Sequence, residues 1–232
     1  MTSVSYPAFL DLRGRHCVVV GGGRVATRKV ESLLECGARV RVIAPLASPR
    51  VTALAAEGQL EWQPRAYRDG DLQDVWLCIA ATDDRTVNAR VVQEANHRGG
   101  LVTAVDATPG ANVRSGAVLR KGDVTLAISS EGRSPAFARL LRERMEQVLE
   151  AESALFELMA ELRPEALRAA RPPGADTWSV AANGEVRDAL ARGDRAAARA
   201  ALAAGLGILS PSDTNAALGC DGTEPTRLNG AK

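Results

Sequence analysis

Residues 17–30, CVVVGGGRVATRKV, constrain the fold more than any other stretch of the chain. A short apolar run leads into three glycines, and a helical pattern follows at once. Gly21, Gly23 and Ala26 fit G-x-G-x-x-A between a strand and a helix, the context that a dinucleotide-binding turn requires. In that reading the first glycine permits the turn and the second keeps a side chain out of the pyrophosphate's way. The small third residue lets helix and strand pack closely. Free amides at the helix start then face the phosphates, helped by the helix dipole. A tight turn without a ligand is the competing reading, and the flanking strand, helix and second strand favour the cradle. Gly21, Gly22, Gly23, Arg24, Val25 and Ala26 are therefore cofactor-binding candidates.

The pattern around this turn repeats as strand and helix. Residues 16–20 read as a buried strand and 24–36 as a helix, with Ala26, Val30, Leu33 and Leu34 as its apolar stripe. A second strand ends at Pro45. A helix over about 48–57, a short strand at 60–63, an apolar strand at 75–82, a helix over 85–98 and a strand at 100–107 follow. Near-continuous apolar strands alternating with amphipathic helices predict a parallel sheet covered on both faces. The loops at Ala44 and Pro45 and at Thr82 and Asp83 fall where such a sheet meets its cofactor. Asp83 or Asp84 equally suits the cap of the next helix. No acid stands at the end of the second strand to take the ribose hydroxyls, and Arg50 near it reads as a solvated surface charge.

After Asp106 the rhythm changes. Two strands are expected within 117–129, and Ser134 and Pro135 start a long helix with Phe137, Leu141, Met145 and Val148 on one stripe. The chain stays helical, with a break expected at Pro164, a loop at 171–176 and an Ala-rich helical stretch within 184–204. The fold class expected is α/β: a Rossmann-type domain over 1–112, a small α+β dimerisation and substrate segment over 113–150, and a helical domain over 151–209. The polar, aperiodic residues 210–232 are expected to be a disordered tail.

Composition excludes several classes. A formal charge of +1 on 232 residues gives no global basic excess for nucleic acid or a membrane surface. The first residues lack the pattern of an export signal, and no apolar run approaches bilayer-spanning length. With no C-x-x-C pair, the setting expected is cytoplasmic and reducing. Cys17, Cys36 and Cys78 read as small core residues. His16 and His97 have no spaced partner, so no protein-built metal site is expected.

Several blocks together resemble a known family. YPAFLDLRGRHCVVVGGGRVATRKVESLLECGARVRVIAP, WLCIAATDDRTVNARV, VTAVDA and LAISSEGRSPAFARLLRERME are similar to the siroheme-synthase-type precorrin-2 dehydrogenases, from about Tyr6 to Glu150. The resemblance implies NAD-dependent oxidation of precorrin-2 to sirohydrochlorin, in some members with chelation of Fe(II) by the same site. It implies a homodimer that exchanges the segment after the Rossmann domain. It also matches Asp106 to the family's functional aspartate and Ser130 to a serine near the tetrapyrrole. A polycarboxylate substrate needs local cations, for which Arg114, Arg133 and Arg139 are the chosen candidates, with Arg120, Lys121 and Arg142 as further ones. Where members carry an aromatic-x-x-Pro segment, this chain reads Val113-Arg114-Ser115-Gly116. No segment resembles the methyltransferase fused in bifunctional synthases, as expected of a stand-alone form. A dinucleotide-sensing regulatory module and a chelatase without redox chemistry remain the alternatives.

Overall fold

The computed structural model describes residues 5–106 and 108–208. The expected tail at 210–232 lies outside the described residues, as does Cys220.

Five parallel strands build the first sheet: β1 (His16–Val20), β2 (Arg39–Ile43), β3 (Glu61–Gln63), β4 (Leu77–Ala80) and β5 (Leu101–Ala104). Their order is β3-β2-β1-β4-β5, so the chain reverses direction across the sheet between β1 and β4. This is the Rossmann-like α/β arrangement expected from the alternating pattern. Period-two alternation sends Cys17 and Val19 to one face and Val18 and Val20 to the other. Cys17 and Val19 join Val30 and Leu33 of α1 (Arg24–Glu35) and Val51 and Leu54 of α2 (Pro49–Ala56). Val18 and Val20 join Val91, Val92 and Ala95 of α3 (Arg85–His97). Both faces are covered, which is why the central strands β1 and β4 carry almost no polar residues. Burial also pushes the Cys17 thiol up to about 11 and the Cys78 thiol higher still, so both are inert packing groups.

By contacts the chain divides into two units, Met1–Leu119 with Thr125–Arg142, and Arg120–Val124 with Glu143–Lys232. β6 (Ala117–Lys121) and β7 (Val124–Ile128) pair as a separate two-stranded sheet. The helix α4 (Pro135–Arg168) begins as expected, with Ser134 Oγ accepting the Phe137 amide at 3.2 Å. The expected break at Pro164 does not occur, and α4 runs through it to Arg168. Leu158, Leu162 and Ala166, spaced four residues apart, are all at most 1% exposed. Each buried leucine is worth about 1.5–3 kcal/mol, so Leu158 and Leu162 together, at about 3–6 kcal/mol, offset the roughly 3 kcal/mol that an interior proline costs.

In the second unit these leucines meet α5 (Ala175–Ala181), α6 (Gly184–Ala191) and α7 (Arg195–Leu206) through Ala181, Val186, Ala189, Ala198 and Leu202. The stretch 184–204 is thus two helices, parted at Gly193 (φ +76°) with Asp194 capping α7 through the Ala197 amide. Surface ion pairs Arg195–Glu161 (2.7 Å) and Arg199–Glu165 (2.8 Å) add little to this apolar core.

Candidate functional site

The glycine turn lies at the carboxyl end of β1, at the sheet's switch point. Gly21 has φ +123°, and a Cβ there would stand 2.2 Å from the Ala81 carbonyl oxygen. Its amide donates to the Ile43 oxygen at 2.9 Å, so Gly21 is fixed between the ends of β2 and β4. Gly22 is equally enclosed, because a Cβ would meet the Leu46 oxygen at 2.1 Å. Gly23 differs: it has extended backbone, and a Cβ there would meet nothing within 4 Å. The three glycines therefore do two jobs. Gly21 and Gly22 let the protein's own backbone close, and Gly23 leaves open space in front of α1.

That space fits a pyrophosphate. Gly23 caps α1 without a side-chain hydrogen bond, and the first turn carries no acidic residue. The amides at Arg24, Val25 and Ala26 are thus the unpaired donors of a helix N-terminus, with the positive end of its dipole undiminished. Arg24 and Val25 are exposed, and Ala26 is fully buried in the cluster that holds Val30 and Val19, the close packing that its small side chain allows. Around the cradle, Ala44 is buried, with its carbonyl accepting the Trp62 indole N–H at 3.1 Å, while Pro45 is exposed. Arg50 pairs with Glu31 at 3.0 Å.

The turn after β4 resolves the choice between the two aspartates. Asp84 caps α3, accepting the Thr86 and Val87 amides, whereas Asp83 is exposed. Thr82 is held by Asn88, a fully buried residue of α3 that sequence reasoning passed over. Asn88 also donates from Nδ2 to Asp106 Oδ2 at 3.1 Å. Asp106 stands two residues past β5, half-buried, and its other oxygen accepts the Thr108 amide at 3.2 Å and the Thr108 hydroxyl. The Thr108 hydroxyl above all, with Asn88 and the Thr108 amide, holds the Asp106 carboxyl below the usual carboxylate range against the opposing effect of burial, which is second in size only to that hydroxyl. It is ionised at neutral pH.

The loop after Asp106 is pinned back to the sheet. Asn112 accepts the Val102 amide at 2.8 Å and donates to the Gly100 oxygen at 2.9 Å, and Asn96 donates to the Gly110 oxygen at 2.9 Å. Of the expected substrate contacts, Arg114 pairs with Glu131 at 3.0 Å, and Ser5 Oγ donates to the same carboxylate at 2.8 Å. Ser130 accepts the Ser134 amide at 3.2 Å, while Arg133 and Arg139 are exposed. The structure thus brings together Gly21, Gly22, Ala44 and Thr82, and through Asn88 links Thr82 to Asp106. No hydrogen bond recorded among the described residues ties Arg133 or Arg139 to Asp106. Nor do the described residues hold a cluster of three or more potential metal ligands.

A family model described as putative NAD(P)-binding matches residues 8–117, and one described as sirohaem biosynthesis protein central matches 121–147. Together they span more than half of the chain. Over these residues the chain is similar to sirohaem biosynthesis proteins. A siroheme synthase of Chromobacterium violaceum is 37% identical over 201 residues, covering 85% of this chain and 43% of that protein. A siroheme synthase 1 of Serratia proteamaculans is 41% identical over 145 residues, covering 62% and 30%. The chain spans less than half the length of these curated relatives. A solved structure of SirC, a precorrin-2 dehydrogenase, superposes with a TM-score of 0.71 at 27% identity, covering 85% of this chain and 98% of that one.

Proposed function

We propose that this chain oxidises precorrin-2 to sirohydrochlorin, with NAD as the hydride acceptor. The observation that carries the reading is the Thr82–Asn88–Asp106 chain of hydrogen bonds, which ties an ionised carboxylate to the turn beside a dinucleotide cradle. The likeness to SirC over nearly the whole of that structure supports the same reaction. NAD held at this cradle would supply the hydride acceptor for the macrocycle. The protein's own part is to hold the pyrophosphate at Gly23 and the α1 amides, and to accept the proton on Asp106.

Substrate carboxylates are the partners proposed for Arg114, Ser130, Arg133 and Arg139, with Glu131 holding Arg114 until a substrate carboxylate replaces it. The same carboxylate at Asp106 suits the removal of pyrrole protons as Fe(II) enters sirohydrochlorin, which supports chelation as a second activity of one site. A homodimer is proposed as the working form, because α4 keeps Phe137, Leu140 and Val148 exposed at 57%, 45% and 48%. No helix among the described residues is long and apolar enough to cross a membrane. The deciding experiment incubates the protein anaerobically with precorrin-2 and NAD, following NADH absorbance and the sirohydrochlorin spectrum. Folded, NAD-binding protein that forms no NADH above background would overturn the proposal.

A further inference from the structure

Asn88 is the one polar side chain of α3 that is wholly buried, on a face otherwise made by Val91, Val92 and Ala95. An amide in such a place is unfavourable unless its hydrogen bonds are made, and here it has four partners, with the Thr82 hydroxyl proton shared between Asn88 Oδ1 and the Asp84 carbonyl. Oδ1 accepts the Thr82 amide at 3.2 Å and the Thr82 hydroxyl at 2.8 Å. Nδ2 donates to the Thr82 carbonyl at 3.0 Å and to Asp106 Oδ2 at 3.1 Å. Its orientation is forced, because a backbone N–H can only donate and must face Oδ1. That leaves Nδ2 for the Thr82 carbonyl and for Asp106. A staple for the Thr82 turn alone needs three of these bonds. The fourth reaches across to the strand beyond.

The bonds also distinguish the two oxygens of Asp106. A carboxylate oxygen has about two acceptor positions. Oδ1 receives both the amide and the hydroxyl of Thr108, so its positions are filled. Oδ2 receives Asn88 Nδ2 and neither of the Thr108 donors. We propose that Asn88 is a positioning residue which fixes Asp106 to the Thr82 turn and leaves Oδ2 as the oxygen that takes the substrate's proton. The proposal rests on the oxidation proposed above. One amide thereby sets the proton acceptor in register with the turn that borders the dinucleotide.

The charged groups nearby in the fold do not duplicate this role. Asp84, four residues before Asn88, turns its carboxylate onto the Thr86 and Val87 amides, Arg85 and Asp83 are exposed, and the donors recorded for Asp106 are neutral. Asn88→Asp tests the assignment, since it keeps the size of the side chain and the acceptor for Thr82 but turns an acceptor towards Asp106. Expected are a kcat for precorrin-2 oxidation lowered at least tenfold, with KM and NAD affinity within threefold of the parent. The Asp106 carboxyl carbon, followed by NMR as pH is varied, should titrate at least one unit higher, because a second carboxylate opposes its ionisation. Should Asn88→Asp fail to fold, Asn88→Ser keeps a hydroxyl for Thr82 and is too short to span both partners; the same drop in kcat is expected.

An unmoved Asp106 titration, or an unchanged kcat in a folded variant, overturns the proposal. So does a loss confined to NAD affinity. Parent protein that binds NAD but does not oxidise precorrin-2 refutes the reaction instead, while the titration still decides whether Asn88 governs Asp106.

Discussion

Gly21 and Gly23 are two residues apart, yet alanine at each should fail in a different way. At Gly21 the added Cβ meets the Ala81 carbonyl oxygen at 2.2 Å and must adopt φ +123°. The backbone conformation costs roughly 1–2 kcal/mol and the overpacking roughly 1–3 kcal/mol more, giving about 2–5 kcal/mol of lost stability. For a chain of this size that lowers Tm by roughly 5–15 °C. At Gly23 the Cβ enters open space with ordinary backbone angles, so only about 1 kcal/mol or less of capping preference is lost. The same methyl stands where the pyrophosphate must approach, and disturbing one charged hydrogen bond, about 1.5–3 kcal/mol, weakens NAD binding roughly 10- to 100-fold. Urea unfolding and NAD titration of both variants separate the two effects. Gly23→Ala with NAD affinity within threefold of the parent would refute the cradle, and Gly21→Ala with unchanged stability would refute the close approach. A Gly21→Asp variant should likewise disrupt the fold at Ala81.

Asp106→Ala should abolish or sharply lower NADH formation from precorrin-2 while leaving NAD affinity within threefold; normal turnover would remove the carboxylate from the mechanism. Because the folded-state pKa of Asp106 is depressed, its ionised form persists above the ordinary value of 3.8, and its contribution to stability is lost only as pH falls through the lower folded value. Thr108→Val should raise that pKa, read as an upward shift in the acid limb of kcat/KM. Glu94→Ala should cost about 2–3 kcal/mol in urea unfolding, because the Tyr67 hydroxyl and the Gly70 and Leu72 amides lose their common acceptor. Burial alone raises the Glu94 pKa, but hydrogen bonds from Tyr67, Gly70, Arg98 and Leu72 bring it below 4.5, so this contribution too is present at neutral pH and fades in acid. Pro164→Ala should stabilise by about 2 kcal/mol, since Pro164 is exposed and the helix regains a donor; a loss of stability would refute the account of α4.

Much of the first unit was legible because its signals are local. The strand at Cys17–Val20 is apolar on both faces, Ala26 and Val30 lie at helical spacing, and Gly37 follows α1. Asp84 and Ser134 cap helices within three residues of the amides they accept. Those patterns are set by backbone periodicity and short-range hydrogen bonding, which need no partner from elsewhere in the chain. The family resemblance added what spacing does not carry, the substrate proposed and the proposal of Asp106 as the proton acceptor.

By itself, then, the sequence determined an alternating α/β sheet, a glycine turn at the end of its first strand and a long helix starting at Pro135. Tertiary structure decided which glycine closes the backbone and which leaves room, because that depends on Ala81 and Leu46 from other loops. It decided that α4 passes through Pro164, since distant residues bury Leu158 and Leu162. It also joined Asn88 to Asp106, 18 residues apart, through a side-chain hydrogen bond with no sequence period. Local rules fix where elements begin and end; the site comes from loops that meet only when parallel strands are laid side by side.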